Sequence, residues 1–358
     1  MRIQRITAVN VAIPYAAPVG PYIGRPESKR GAGTLGASGL IVKIETDGGI
    51  IGWGEGHGQL NVNPNDFLVG HHIADIEEAL AAMVKAGLGI GPMSGVEMAL
   101  WDALGKAAGL PVCRLLGGIV REEIDFCACM GLKEPSESAE TAREYVERWG
   151  FHFIKTKAGV DPNQDLAITE AIQQAVGDRI TLRPDANSGY TSEQAESLLP
   201  KLKALGVRYY EDPCPATDVE SLARFRQEIG MGIMVNMGVA SPASVVPLLT
   251  HGAVDYLMPD TTSAGSVLGV KKIAAVAEAF GVPCLMHCSH DLGLKTALVT
   301  HVAASTPNFS GPNDTCYHGL IDDVLVEPLK FVNGRIRVPL GPGLGVEVDE
   351  TKLEKYRV

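Results

Sequence analysis

The sequence predicts an α/β protein, a (β/α) barrel preceded by an N-terminal α+β unit. Two observations carry this. From about residue 123 onward, short apolar strands alternate with helical segments at a spacing of roughly 22–30 residues, the length of one βα unit of a barrel. Before that point the chain opens on hairpin-like strands and then turns helical, so its 358 residues divide into two regimes. The expected division is a cap at 1–122, a barrel at 123–322, and a terminal segment, 323–358, that packs back on the cap.

The elements follow in order. Arg5 and Asn10 interrupt the apolar run MRIQRITAVNVAIP, which suits an edge strand better than a signal peptide. ASGLIVKIETDGGIIGWGEG predicts a hairpin turning at Asp47-Gly48-Gly49. His71 and His72 fall in a predicted amphipathic surface helix. In SGVEMALWDALGKAAGLP, Ser94 with Glu97 forms a predicted capping box. Val96, Leu100, Ala103, Leu104 and Ala107 line one face, and Gly109 and Pro111 stop the helix. The barrel strand candidates are IDFCACMG, FIKTKAG, RITLRPDAN, VRYYEDP, GIMVNMG, YLMPD and CLMHCS. Helix starts are marked by Asp161-Pro162 with Gln164, by Thr191 with Gln194, and by Ser241-Pro242. FVNGRIRVPLGPGLGVEVD predicts a hairpin and a Gly/Pro-rich loop.

Composition removes several function classes. No apolar run approaches the ~18 residues of a membrane span. A net charge of −11 without a basic stripe argues against nucleic acid, and it means that an anionic substrate must be held by local cations. The seven cysteines include no CxxC pair, and Cys113, Cys127, Cys129 and Cys284 sit in apolar runs. Such thiols act as small core residues, as expected of a reduced, cytoplasmic protein. The stretch from Gly31 to Gly36 matches GxGxxG but leads into a strand, so it fails the context test for a dinucleotide fold and is assigned to a mobile loop at 17–38. An open doubly wound sheet would also need a glycine-rich first βα turn, which is absent.

The strand ends form a polar ladder: Lys157, Asp185, Glu211, Asn236, Asp260, His287 and Asp314, at intervals of 24 to 28 residues. In a closed parallel barrel these positions share the C-terminal rim, where active sites form. Asp185, Glu211 and Asn236 offer only hard oxygen donors, which favours Mg²⁺ over zinc or copper; the alternative is simple helix N-capping. Lys155 and Lys157 share one face of their strand. Mutual repulsion and a metal nearby would depress a lysine pKa toward that of a base. Asp260 beside His287 would orient the imidazole for proton transfer, with His290 as a nearby competitor. Asn187, Ser289, Asp314 and Thr315 are candidate substrate contacts.

KTK at 155–157, Asp185 with Glu211, Asp260 with His287, and ALWDALGKAAGLP together resemble the enolase superfamily on its mandelate racemase side. The resemblance covers essentially the whole chain. With Asn236 in MVNMGVAS, and with YYEDPCP, MHCSHDLG, THVAAS and PGLGVEVD, it is most similar to the glucarate dehydratase group. It departs from that group at Pro215 and in the Cys288-Ser289 pair after the histidine. The resemblance implies an α+β capping domain closing over a modified (β/α)7β TIM-type barrel, and a Mg²⁺-dependent enzyme of an acid-sugar carboxylate, commonly a homo-oligomer. It also implies that Lys157 and His287 are bases on opposite faces, that Lys155 stabilises the substrate carboxylate, and that Asp260 supports His287. Dehydration, racemisation or epimerisation, and cycloisomerisation can all pass through the same enediolate. A barrel that binds a carboxylate without turnover is the alternative of another class.

Overall fold

A computed structural model describes residues 1–24 and 34–358. Residues 25–33, which include Gly31, Gly33 and the centre of the 17–38 loop, lie outside the described part.

The cap begins with a three-stranded antiparallel sheet of β1 (Ile3–Pro14), β2 (Gly36–Thr46) and β3 (Ile51–Gly56), in the order β1-β2-β3. The first strand is therefore an edge, as its interrupted apolar pattern predicts. The last residues of the 17–38 loop belong to β2. Gly49 makes the turn into β3 at φ 77°, where a side chain would be strained. Every second residue of β3 is glycine. Cβ atoms at Gly52, Gly54 and Gly56 would strike the backbone of Ala99, Gly95 and Gly91, so these glycines let the helix Ile90–Ala108 lie directly on the strand. By strand alternation Glu55 points the other way, toward the barrel.

That helix starts five residues earlier than the capping-box signature predicts, with Gly89 rather than Ser94 as its N-cap. Ser94 lies inside it, and its hydroxyl donates to the Gly91 carbonyl. Glu97 caps a different helix, accepting the backbone N–H groups of Val267 and Leu268 at the start of Val267–Ala279. Nor is the helix one-sided. Pro92 to Ala103 are buried all round, because strand and barrel enclose it, while Ala107 is exposed. His71 and His72 lie in the loop before the helix Ile76–Lys85 rather than in a helix, since His71 and Ile3 pair through their backbones.

Parallel strands β4 (Glu123–Met130), β5 (Phe153–Lys157), β6 (Thr181–Asp185), β7 (Tyr209–Glu211), β8 (Gly232–Val235), β9 (Tyr256–Leu257) and β10 (Asn313–Thr315) follow the order β10-β4-β5-β6-β7-β8-β9. The segment 284–287 closes the ring. Leu285 and His287 donate to Leu257 and Pro259 on one side, and Asp314 donates to Met286 on the other. It has the ladder bonds of a strand without forming a regular one. Asp161, Thr191 and Ser241 all cap the helices that follow them, as predicted. The chain is thus an α/β protein with a TIM-type barrel behind an α+β cap. A short strand, β11 (Arg335–Arg337), pairs antiparallel with β4. Beyond it the chain reaches the cap, where Leu344 donates to Asp102, Gly343 pairs with Leu110 and Val112, and Val358 donates to Asn10. All seven cysteines are free thiols. Among the described residues no helix is long and apolar enough to cross a membrane.

Candidate active site

Register places the polar side chains in depth layers. On β5 and β6, Lys155 pairs with Arg183 and Lys157 with Asp185, and Asp185 pairs in turn with Glu211 on β7. Period-2 alternation then sends all five toward the barrel axis. Lys155 is buried and donates to Asp314 at 2.6 Å and to Glu211 at 3.3 Å, with Asp185 at 3.6 Å. Lys157 lies nearer the mouth, donating to Asp185 at 2.5 Å and to Asn187 Oδ1 at 2.8 Å. Arg183 binds the second oxygen of Asp314. The expected depression of a lysine pKa is not met at Lys155. Burial works to lower it, but Asp314, Glu211 and Asp185 outweigh burial and hold the ammonium well above its usual value.

The carboxylates divide in the same way. Burial would raise Asp185 and Asp314, yet Lys157 and Lys155 pull Asp185 down, and Arg183 and Lys155 pull Asp314 down. Glu211 is pushed up, by burial and then by the charge of Asp185. Its Oε2 is buried with no hydrogen bond, 3.1 Å from Arg183 Nε but misaligned. Asp185, Glu211 and Asp212 each present an oxygen within 4.8 Å of the others, and so do Glu211, His287 and Asp314 through an oxygen or a ring nitrogen. Repelling carboxylates with an unsatisfied oxygen fit a hard divalent cation. Asn236 lies beside them. Its Nδ2 donates to the Met258 carbonyl, which turns the amide oxygen to the other side, and its backbone N–H is held by Asp212.

Across the ring, His287 Nδ1 is 3.2 Å from Asp260 Oδ2. A carboxylate only accepts, so Nδ1 carries the proton and Nε2 is the unprotonated nitrogen of the neutral ring. Ser289 Oγ also donates to Asp260, at 2.9 Å. Thr315 is buried and accepts the backbone N–H of Tyr317. His290 does not compete for Asp260; its Nδ1 lies 2.8 Å from the Tyr15 hydroxyl of the cap.

Several site residues escaped the sequence reading. Arg183 could have been found two positions before Asp185 on the same strand face. Asp212 adjoins Glu211 but sits at φ 44°, a backbone geometry with no mark in the sequence. Lys295, Asp291, His57 and Glu55 come together only through the meeting of cap and barrel.

A ring of carboxylates, lysines and an Asp–His pair at the C-terminal rim of a capped barrel stands where barrel enzymes carry their active sites. Residues 137–352 match the Enolase C-terminal domain-like family, and residues 31–117 match the Mandelate racemase / muconate lactonizing enzyme N-terminal domain. The chain belongs to the enolase superfamily, on its mandelate racemase and muconate lactonizing side. It is 32% identical to the D-galactarolactone cycloisomerase of Agrobacterium fabrum, covering 89% of this chain and 91% of that one. It is 31% identical to a protein named "probable glucarate dehydratase" from Streptomyces coelicolor, covering 88% and 83%. A solved isomerase from Streptomyces coelicolor superposes with a TM-score of 0.85 at 32% identity, over 99% of this chain and 98% of that one.

Proposed function

We propose that this protein is a Mg²⁺-dependent acid-sugar dehydratase that removes the proton α to a carboxylate and eliminates the β-hydroxyl to give a 2-keto acid. The observation that carries the reading is the pair of proton-transfer groups flanking one carboxylate cluster. Lys157 stands on one side of Asp185 and Glu211, and His287, backed by Asp260, stands on the other. Asp185, Glu211 and Asn236 would hold the cation, with Asp212 bracing Asn236. A divalent ion bound there would supply electrostatic stabilisation to charge developing on the substrate carboxylate. Lys155, charged and anchored by Asp314, would meet the same oxygens from the other side. Lys157 or His287 would take the α-proton. His287, once protonated, would give a proton to the departing hydroxyl, and the enol would tautomerise. Asn187 and Ser289 would then lie beside the bases, where the rest of the sugar acid passes.

Racemisation or epimerisation, and cycloisomerisation, form the second reading, favoured by a cycloisomerase at 32% identity and by bases on both faces. Both readings are tested together with a panel of mono- and diacid sugars and their lactones in D₂O, with and without Mg²⁺. A dehydratase yields a Mg²⁺-dependent 2-keto acid carrying solvent deuterium. Deuterium in unchanged substrate or its epimer, without keto acid, overturns dehydration in favour of epimerisation. A ring-opened or lactonised isomer favours the cycloisomerase.

A further inference from the structure

The Asp–His pair is braced by a buried cation that the chemistry above does not use. Lys295 lies in the first turn of the helix Gly293–Ser305 and is fully buried. Its ammonium donates to Asp260 Oδ1 at 2.7 Å and lies 2.9 Å from Asp291 Oδ1. Asp291 in turn faces His57 of the cap at 3.4 Å and accepts the Ser289 backbone N–H. The backbone beneath the lysine is fixed from the cap as well, because Glu55 accepts the N–H groups of Leu292 at 2.7 Å and Lys295 at 2.8 Å. A lysine is among the residues least often buried, and here one ammonium stands between two buried carboxylates.

We propose that Lys295 is a positioning residue for the Asp260–His287 pair, holding one oxygen of Asp260 so that the other is aimed at His287 Nδ1. The inference rests on His287 being a proton-transfer group of the proposed reaction.

Asp260 has two oxygens and four partners. Oδ1 takes Lys295 and the Thr262 N–H, and Oδ2 takes His287 and Ser289. Without the ammonium, Oδ1 keeps a single backbone donor, and the carboxylate can rotate or take up a proton. Either change removes the fixed acceptor that selects the Nδ1–H tautomer and leaves Nε2 unprotonated. The charges agree. Burial would raise Asp260 and Asp291, but Lys295 is the foremost influence holding both below the usual carboxylate range. The brace also crosses between units: Lys295 is placed by a helix whose first turn Glu55 holds, so the orientation of a barrel histidine depends on the cap.

The test needs no substrate. In the full-length, Mg²⁺-supplemented protein labelled with ¹⁵N-histidine at about pH 8, the His287 resonance is assigned by its loss in His287→Asn. The wild type should show a His287 Nδ1–H signal protected from solvent exchange. In Lys295→Met this signal should vanish or give way to the Nε2–H tautomer while the fold, followed by circular dichroism, is kept. If the single variant fails to fold, Lys295→Met/Asp291→Asn, which removes one charge of each sign, takes its place and should give the same loss. An unchanged Nδ1–H signal in a folded variant overturns the proposal, since a lysine that only balances charge would leave the tautomer alone. A signal lost in the variant, together with no turnover of any acid sugar by the wild type, would uphold the brace and defeat the proposed reaction. Once a substrate is known, kcat in the folded variant should fall about 100-fold with KM changed less than about threefold.

Discussion

The two sides of the site are built differently. On the lysine side, Lys155, Lys157 and Arg183 meet Asp185, Glu211 and Asp314 directly, and every one of these residues lies on a barrel strand. The Asp–His side stands on loops: Asp260 follows β9, and His287 ends a segment that is not a regular strand. Its rigidity is supplied from outside the strands, by Lys295 and Asp291 at the helix Gly293–Ser305 and by His57 and Glu55 of the cap. A strand pair sets side-chain direction by register alone, whereas a loop needs its side chains tied down one by one. The lysine side should therefore answer to changes in its own charges, and the Asp–His side to changes in the cap and in the helix Gly293–Ser305.

The largest expected effect separates the two sides chemically. Lys157→Met and His287→Asn should each lower kcat for the proposed dehydration by about 10⁴-fold, equivalent to about 5.5 kcal/mol. Proton exchange with solvent should persist in one of the two variants and be lost in the other, because only one side removes the α-proton in the first step. Mass spectrometry of recovered substrate from D₂O reads this directly. Equal loss of exchange in both variants would break the division of labour between the sides.

Next in size is Asp314→Asn. The wild-type carboxylate answers both Lys155 and Arg183 inside the barrel, so the variant leaves two buried cations short of an anion. Removing one partner of a buried pair costs about 3–5 kcal/mol, which urea unfolding would measure. A change below about 1 kcal/mol would mean that Glu211 and Asp185 suffice to anchor the lysine side.

The same contrast explains what could be read from the sequence. The lysine side was legible because strand periodicity carries it. Lys155, Lys157, Asp185 and Glu211 fall at strand ends in phase, and register does the rest. Arg183 obeys the same rule, in register with Lys155 one layer below Asp185. The Asp–His pair was legible as strand-end residues, but its support was not. Lys295 is marked by nothing except its i,i+4 relation to Asp291, and Glu55 lies 240 residues before the backbone N–H of Lys295 that it accepts. Local rules also misassigned Ser94 and Glu97 as a capping box, since no local pattern reveals that a glutamate caps a helix in another unit. Contacts made by the meeting of two units leave no period in the chain.

The smallest expected effect concerns acid and falls on the Asp–His side. The helix that carries Lys295 also carries His301, which is buried between Cys113 and Leu344. Its Nδ1 accepts the Cys113 N–H, so Nε2 must carry the proton that goes to the Leu344 carbonyl. The bond from Cys113 requires an unprotonated Nδ1 and hence the neutral ring, and burial lowers its pKa from 6.5 to about 4 although the bond to Leu344 works the other way. The unfolded chain therefore binds more protons than the native state between those values, so stability rises with pH across this window. The contribution is complete above about pH 6.5 and is lost as pH falls through about 4, with a size of about 3 kcal/mol. His301→Gln keeps a side chain that can both donate and accept but does not titrate. Urea unfolding at about pH 7 and about pH 4.5 should show the wild-type advantage over this variant shrinking in acid. An advantage that stays constant with pH would mean that His301 seats the helix by shape alone, leaving the contacts of Glu55 and Lys295 to bind the Asp–His side to the cap.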